Sequence, residues 1–460
     1  MKKTKMICTI GPASEQKDVM RELIKTGMNV VRMNFSHGDY EEHGFRIKNC
    51  RELNEELGTN VALCLDTKGP EIRTHLFQYK EGEKKVTVEK GSTVRIAMKE
   101  VLGTAEKFSV TYPGLYDDVE VGGTILVDDG YLELTITEKD EVNRELVCVA
   151  ENTHKIKDKR GINVPNVKLN MPFISAKDKA DMEFACDQDL DFISASFVRR
   201  ASDVQEIRDI LAAKGNDHIK IIAKIENQEG VDNLDEIIEI ADGIMVARGD
   251  MGVEIPAWEV PVVQKELVSK CQSQGKIVVV ATQMLESMQS NPRPTRAEVN
   301  DVANAVLDGA DSTMLSGESA GGDYPIQSVR YMAKIDDRMG DEIDFDLMFD
   351  RALDGVYELD FPTMLGMSAA KSALEFGASA IITVGEAKLA AACSRFRPCC
   401  PIVACVPNRR EARGLALNFG VYAFDFDLNA AIDYVKANIE VSEGDFVLVV
   451  TENEMKVVTL

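Results

Sequence analysis

Five stretches of this 460-residue chain end in residues able to do chemistry together. Arg32, Asn34 and Ser36 alternate along one run, Asp66 and Thr67 close another, and Lys224 with Glu226, Arg248 with Asp250, and Thr282 close three more. In an extended strand alternate residues share a face, so each group presents its polar atoms in one direction. Two carboxylates with a lysine beside them suit a hard divalent cation, Mg2+ or Mn2+, and positive groups suit a phosphate. No histidine or thiol at these ends competes for the ligand role. Gly249 leaves backbone amides accessible ahead of a helix, where a carboxylate or phosphate can be held. Taken singly, a Lys/Glu or Arg/Asp pair is more often a structural ion pair. Five polar ends converging on one place are different, because burying that much charge without a ligand costs several kcal/mol per uncompensated ion, roughly.

What must position them is a repeated alternation of short β-branched runs with helical patterns. Eight strands are predicted at 4–10, 28–35, 60–66, 192–197, 219–226, 243–250, 276–284 and 312–319, with helices such as 15–26, 203–214, 262–274 and 297–308 between them. Eight such units predict an α/β fold built on a closed (β/α)8 TIM barrel, whose chemistry sits at the C-terminal ends of the strands. The rhythm breaks after the third strand. From about Ile72 to Val167 the period becomes two, with Leu132, Leu134 and Ile136 alternating with Glu133, Thr135 and Thr137, and Asp128-Asp129-Gly130 marks a turn. This predicts an all-β lid inserted at the active-site face, where it can close over a ligand. After about Asp341 a further set of strands, at 380–384, 402–406, 421–424, 446–450 and 456–460, predicts a C-terminal open α/β domain. The expected domains are 1–70 with 169–340 for the barrel, 71–168 for the lid and 341–460 for the C-terminal domain. The acidic segment Asp336 to Asp350 reads as an exposed, solvated connection.

Composition narrows the partners. With 53 Lys and Arg against 77 Asp and Glu, the formal net charge is −24, which argues against a nucleic-acid or anionic-membrane surface. The longest apolar runs, such as Ile277 to Ala281, fall far short of the roughly 20 residues a bilayer requires. The basic start is followed by too short an apolar run for a signal peptide, so the chain reads as cytoplasmic. The ten cysteines form no zinc-type spacing and read as buried thiols, with Cys399-Cys400 at a loop end between two prolines. His43, His75, His154 and His218 read as surface or capping residues. Neither a P-loop nor a Rossmann glycine pattern is present, so a nucleotide must be held by another device.

The motifs Cys8-Thr9-Ile10-Gly11-Pro12, Arg32 through Gly38, Leu65 through Arg73, Lys224-Ile225-Glu226-Asn227, Met245 through Gly252 and Asn291 through Glu298 resemble, in order and spacing, those of the pyruvate kinase family. The resemblance covers residues 1 to 340 and extends to the inserted lid and the terminal domain. It implies transfer of the phosphoryl group of phosphoenolpyruvate to ADP, giving pyruvate and ATP, in a homotetramer. It implies that Glu226 and Asp250 hold Mg2+ or Mn2+, and that Lys224 with Arg32 stabilises the phosphoryl group in flight. Asn34, Ser36, Asp66 and the Thr67 carbonyl would form a K+ site, with Glu71 matching K+-dependent members. Gly249, Asp250 and Thr282 would hold the substrate carboxylate, while Arg73 and His37, with Arg160 and Lys177, would contact the nucleotide. Asn34 and Ser36 border that nucleotide site as well. The enolate would be protonated by a water near Thr282, or by Ser316 with Glu318.

Two rival readings, another metal-dependent barrel acting on enolates and a silent scaffold, leave the lid, the monovalent-ion cluster and the complete metal set unexplained. Many family members also bind a phosphorylated sugar through a Ser/Thr-rich loop of the C-terminal domain. The equivalent turn here is Val384-Gly385-Glu386-Ala387-Lys388, where an acid stands in place of hydroxyls, and Thr451 to Lys456 is acidic. This predicts no such activation, although Arg395, Arg397, Arg409, Arg410 and Arg413 leave charge for a smaller phosphate ester or a nucleotide.

Overall fold

The computed structural model describes residues 1–356 and 360–460. Eight parallel strands close into a barrel: Lys5–Thr9, Val30–Asn34, Ala62–Asp66, Phe192–Ala195, Lys220–Ile225, Gly243–Ala247, Ile277–Ala281 and Ser312–Leu315, each hydrogen-bonded to the next and the last to the first. Each lies within its predicted span but is shorter at the ends. The strand period of two divides each strand between two cores. Ile7, Val30, Cys64, Phe192, Ile222, Met245, Val279 and Met314 fill the interior. Their neighbours Met6, Val31, Leu63, Ile193, Ile221, Ile244, Val278 and Leu315 face the surrounding helices. Capping boxes start three of those helices, with Asp39 before Tyr40–Leu57, Ser175 before Ala176–Asp187 and Thr295 before Arg296–Asp308. Each satisfies amides that a helix leaves orphaned in its first turn.

The lid follows the third strand. Its seven-stranded sheet runs from Ile72–Arg73 through Gly161–Asn163, Thr124–Val127, Leu132–Asp140, Glu145–Ala150 and Thr93–Ala97 to Lys107–Ser109, beside a two-stranded pair. Leu132, Leu134 and Ile136 are buried and Glu133 and Thr137 exposed, as the alternation predicts. The two connections to the barrel are tied to each other, because Asp178, in the helix after the lid, accepts from the Gly69 amide at 3.1 Å. The C-terminal domain is a five-stranded sheet ordered Val421–Phe424, Ile402–Cys405, Ala380–Val384, Phe446–Val450 and Met455–Thr459, parallel except for the last strand.

Three expectations are corrected. The acidic segment from Asp336 is not a solvated link: it ends one helix, Pro325–Gly340, and forms most of another, Phe345–Asp354, and Asp336 is fully buried beside Lys2 and Thr313. Its acids alternate with Ile343, Met348 and Phe349, which pack inward. His43 is likewise buried, stacked on Phe35 at a centroid distance of 3.9 Å and bonded to the His37 carbonyl at 3.0 Å. Nor are the C-terminal arginines left for a phosphate ester. Arg397 clasps Asp311 of the barrel at 2.7 and 2.9 Å, Arg413 reaches Asp191 at 2.8 Å, Arg410 reaches Asp189 at 2.9 Å, Arg395 bonds the Ser273 carbonyl, and Arg409 bonds Asn60 and pairs with Glu55. They fasten this domain to the closed end of the barrel. Nine of the ten cysteines are buried and all are free, with Cys399 half-buried. Among the described residues no helix is long and apolar enough to cross a membrane.

Candidate functional site

At the C-terminal mouth of the barrel, strand register sets the charged residues side by side. Asn34 pairs with Asp66, and Asp66 with Ser194, in the parallel ladder. From there Asp66 accepts from Arg32 Nε at 2.8 Å and from Lys224 Nζ at 3.2 Å. Lys224 Nζ also lies 3.0 Å from Glu226 Oε1 and donates to Ser196 Oγ at 2.9 Å. Arg32, Asp66, Ser194, Ser196, Lys224 and Glu226 are all buried, Glu226 and Asp66 to 1 % exposure, while Asn34 is half-buried. Burial opposes the charge on Lys224, yet Asp66 and Glu226 hold its ammonium well above its ordinary range. Burial likewise opposes ionisation of Asp66, but Arg32 and then Lys224 hold its carboxyl below its ordinary value. Glu226 is in direct contact with one cation, Lys224, with Arg32 further off. Burial pushes its carboxyl up to about 7, with Lys224 opposing and Asp250 adding to the rise.

That imbalance describes a place for positive charge. Glu226 Oε2 accepts from the Phe197 amide at 2.6 Å, whereas among the described residues the buried Oε1 has only its ion pair with Lys224 at 3.0 Å. A buried carboxylate oxygen with a single ion-pair partner, near the second carboxylate of Asp250, fits a hard divalent ion. Among the described residues no group of three or more His, Cys, Asp or Glu converges, so such an ion would complete its shell from water and substrate oxygens.

Asp250 is not placed by strand period. The sixth strand stops at Ala247 and a helix, Arg248–Glu254, begins at once. Arg248 therefore turns away from Asp250 to Asp301 at 2.6 Å and the Thr282 carbonyl at 2.8 Å, which corrects the expected Arg248/Asp250 pair. Gly249 donates its amide to Thr282 Oγ1 at 2.7 Å, so that amide is engaged within the chain. Thr282 lies one residue beyond the seventh strand with φ 68°, and Gln283 follows at 52°. A β-branched residue in the left-handed region is strained, and such strain gathers at functional sites. Both carboxylate oxygens of Glu318 accept backbone amides, from Leu285 at 3.0 Å and Ser316 at 2.8 Å, pinning the loops after the last two strands.

The residues expected at a nucleotide fall on the two sides of the entrance. His37 is exposed after the second strand, and Lys177 donates to the Phe35 carbonyl at 2.9 Å and pairs with Asp181 at 2.6 Å. Arg73 and Arg160 sit on the lid, where Arg73 pairs in register with Gly161. Arg73 Nε lies 2.7 Å from Glu71, and Arg160 3.3 Å from Asp128. A cleft of about 250 Å³ runs between lid and barrel, lined by Glu71, Asp129, Asn163, Asn227, Asp250 and Glu254. Three of these were not singled out from the sequence. Asn163 of the lid donates to Glu254 at 2.7 Å, and Asp129 comes near enough to Asp250 that burial, Asp128 and Asp250 together raise its carboxyl. These are contacts across domains, which sequence spacing does not reveal. Ser196 was also missed, although Ser194 and Ser196 alternate at the end of the fourth predicted strand and repeat the polar pattern of the other ends.

The sequence is similar to known proteins over nearly its whole length. Residues 1–329 match the family model for the pyruvate kinase barrel domain, and residues 364–459 the model for the pyruvate kinase alpha/beta domain. The chain is 49% identical to a pyruvate kinase of Geobacillus stearothermophilus, over 97% of this chain and 77% of that protein. It is 50% identical to one from Bacillus licheniformis, over 92% and 72%, and 45% identical to one from Clostridium acetobutylicum, over 98% and 96%. A barrel mouth that pairs a buried lysine with two carboxylates, under a lid inserted after the third strand, thus sits in a chain that belongs to the pyruvate kinase family.

Proposed function

We infer that the protein transfers the phosphoryl group of phosphoenolpyruvate to ADP, giving pyruvate and ATP. The observation that carries this reading is Lys224, a buried and charged ammonium held between Asp66 and Glu226 at the barrel mouth. Phosphoryl transfer asks little covalent chemistry of a protein and much positioning and electrostatic stabilisation. Lys224 and Arg32 supply it. Arg32 is aimed by Asp66 through Nε and by Thr9 through Nη1 at 2.7 Å, while Nη2 has no partner among the described residues and is left for a phosphoryl oxygen. Gly249, Asp250 and Thr282 would border the substrate carboxylate, with the Asp250 amide as a donor, since the Gly249 amide is taken by Thr282. Arg73 and Arg160 of the lid, with His37 and Lys177 of the barrel, take the nucleotide phosphates between them.

Glu226 and Asp250 would hold Mg2+ or Mn2+, which when bound polarises the phosphoryl and enolate oxygens as a Lewis acid. Asn34, Ser36, Asp66 and the Thr67 carbonyl would hold K+, a set of oxygens suited to a weakly hydrated cation. Asp66 is already balanced by Arg32 and Lys224, and Glu71 by Arg73, so the ion adds positive charge and is not needed to neutralise Glu71. The enolate would be protonated by a water near Thr282, whose Oγ1 donates to the Ala281 carbonyl at 2.6 Å and keeps one lone pair for it, or by Ser316 with Glu318. The protein would act in the cytoplasm as a homotetramer; Trp258, just before the helix Val260–Gln274, and Val262 within it expose apolar surface that association can cover. A coupled assay of ADP-dependent pyruvate formation tests the proposal. Turnover should require both Mg2+ and K+, and its absence with both present would rule the reading out.

A further inference from the structure

Two residues follow the fourth strand at the junction of barrel and lid. Phe197 takes φ 56°, which turns the chain so that its amide reaches Glu226 while the Ser196 amide reaches Thr67 Oγ1 at 3.0 Å. The Ser196 side chain, 2 % exposed, stands between two functional groups. Its Oγ donates to the Thr67 carbonyl at 2.6 Å and accepts from Lys224 Nζ at 2.9 Å, with Asp66 Oδ1 further off at 3.4 Å. A hydroxyl has one proton and two lone pairs. The short contact to Thr67 takes that proton, so the oxygen faces Lys224 only as an acceptor.

We infer that Ser196 is a positioning residue that couples the monovalent-cation site to Lys224. The Thr67 carbonyl and the Lys224 ammonium hold the same oxygen, so ordering one orders the other. Lysine is a point charge on a flexible four-carbon stem, and its aim depends on what receives its protons. Here the receivers are Asp66, Glu226 and Ser196; Asp66 belongs to the cation set itself, and Ser196, which among these three touches the Thr67 carbonyl, adds a second route that aims both groups. Without the hydroxyl, Lys224 rests on the two carboxylates alone and the carbonyl loses the donor that fixes its direction. The inference rests on the phosphoryl-transfer reading for the roles of Lys224 and Thr67, and adds to it a link between them.

The test compares the full-length parent with Ser196→Ala and Ser196→Thr. It reads kcat, the KM for phosphoenolpyruvate, the K+ concentration giving half-maximal rate and, without turnover, the affinity for Tl+ as a K+ surrogate, followed by thallium NMR line width. Groups that orient a site's ligands are commonly worth 10- to 100-fold in activity or metal affinity, roughly. Ser196→Ala should lower kcat by about that factor with the phosphoenolpyruvate KM little changed. It should also weaken Tl+ binding by about fivefold or more and raise the K+ requirement in step. Ser196→Thr, which keeps the hydroxyl, should restore both. A fall in kcat with unchanged Tl+ affinity, a weaker Tl+ site with unchanged kcat, or a loss of both that threonine does not restore would each overturn the link. Should the parent show no phosphoenolpyruvate-dependent ATP formation, the functional reading fails on its own, and the Tl+ comparison still decides whether Ser196 orders the Thr67 carbonyl.

Discussion

Lys224 keeps its charge in a buried setting because Asp66, Glu226 and Ser196 receive its protons. Replacing it by methionine should lower turnover by several orders of magnitude, since a cation aimed at a transferring phosphoryl group acts mainly in the transition state. The variant should also melt earlier in the absence of Mg2+, because Glu226 loses its ion-pair partner, and Mg2+ should recover part of that loss. Near-normal turnover would show the pair with Glu226 to be purely structural. Asp336 shows the opposite balance at the other end of the barrel. Burial pushes its carboxyl up to about 7, and Lys2, 3.9 Å away, and Thr313 only partly oppose this. An acid whose folded-state pKa is raised binds its proton more tightly when folded. It therefore favours the fold below its ordinary value of 3.8, and that contribution is lost as pH rises towards about 7. Asp336→Asn should accordingly raise Tm by roughly 2–4 °C near pH 8 and leave it unchanged near pH 4. Equal effects at both pH values would refute the assignment.

Between strand and helix, single backbone positions decide where side chains go. Gly69, at the start of the connection to the lid, has φ 70°, and a Cβ there would lie 2.8 Å from the Ser196 carbonyl oxygen and 2.9 Å from its Cβ. Left-handed backbone costs an ordinary residue about 1–2 kcal/mol before any clash. Gly69→Ala should therefore destabilise the protein by more than about 2 kcal/mol and, by pushing on Ser196, cut turnover at least about tenfold. Calorimetry and the coupled assay would check both, and wild-type values in each would discount the close approach. In the C-terminal domain the turn after Val384 makes the reverse point about charge. Glu386 pairs with Lys388 at 2.9 Å, and Glu452 packs beside Gly385. Two acids facing one lysine leave no field for a pair of phosphates, each carrying close to two negative charges near neutral pH. Fructose 1,6-bisphosphate should leave the phosphoenolpyruvate saturation curve where it is. A leftward shift at micromolar activator would show that this loop binds it.

Across the whole molecule, the barrel is closed from below by the terminal domain. Leu417 joins the hydrophobic interior of the barrel, and Lys5 of the first strand lies 3.8 Å from the centre of the Tyr422 ring. Arg397, 4 % exposed, clasps Asp311 with both terminal nitrogens. Removing one partner of a buried pair costs about 3–5 kcal/mol, because the other charge is left uncompensated. Arg397→Met should lower Tm by about 3–5 °C while leaving low-temperature kcat near that of the parent, since the clasp lies at the end of the barrel away from the chemistry. A Tm within a degree or so of the parent would mean that Asp311 does not depend on the guanidinium.

The barrel and the lid were legible in the sequence because their signals are local. Period two in Leu132 to Ile136 and the eight β-branched runs follow from which side chains must leave water. The polar strand ends were legible for the same reason: Arg32, Asp66, Lys224 and Glu226 have no business in a core unless they meet. Which residue each one meets was decided by the tertiary structure. Strand register put Asp66 between Arg32 and Lys224, an early helix start turned Arg248 away from Asp250, and the left-handed turn at Phe197 set Ser196 against Thr67. The C-terminal arginines and His43 were misread for one reason, that their partners lie on other elements or beyond the next turn. Composition and period report how much each residue gains by leaving water. They do not report the neighbour that receives it, because that depends on distances closed only when the chain has folded.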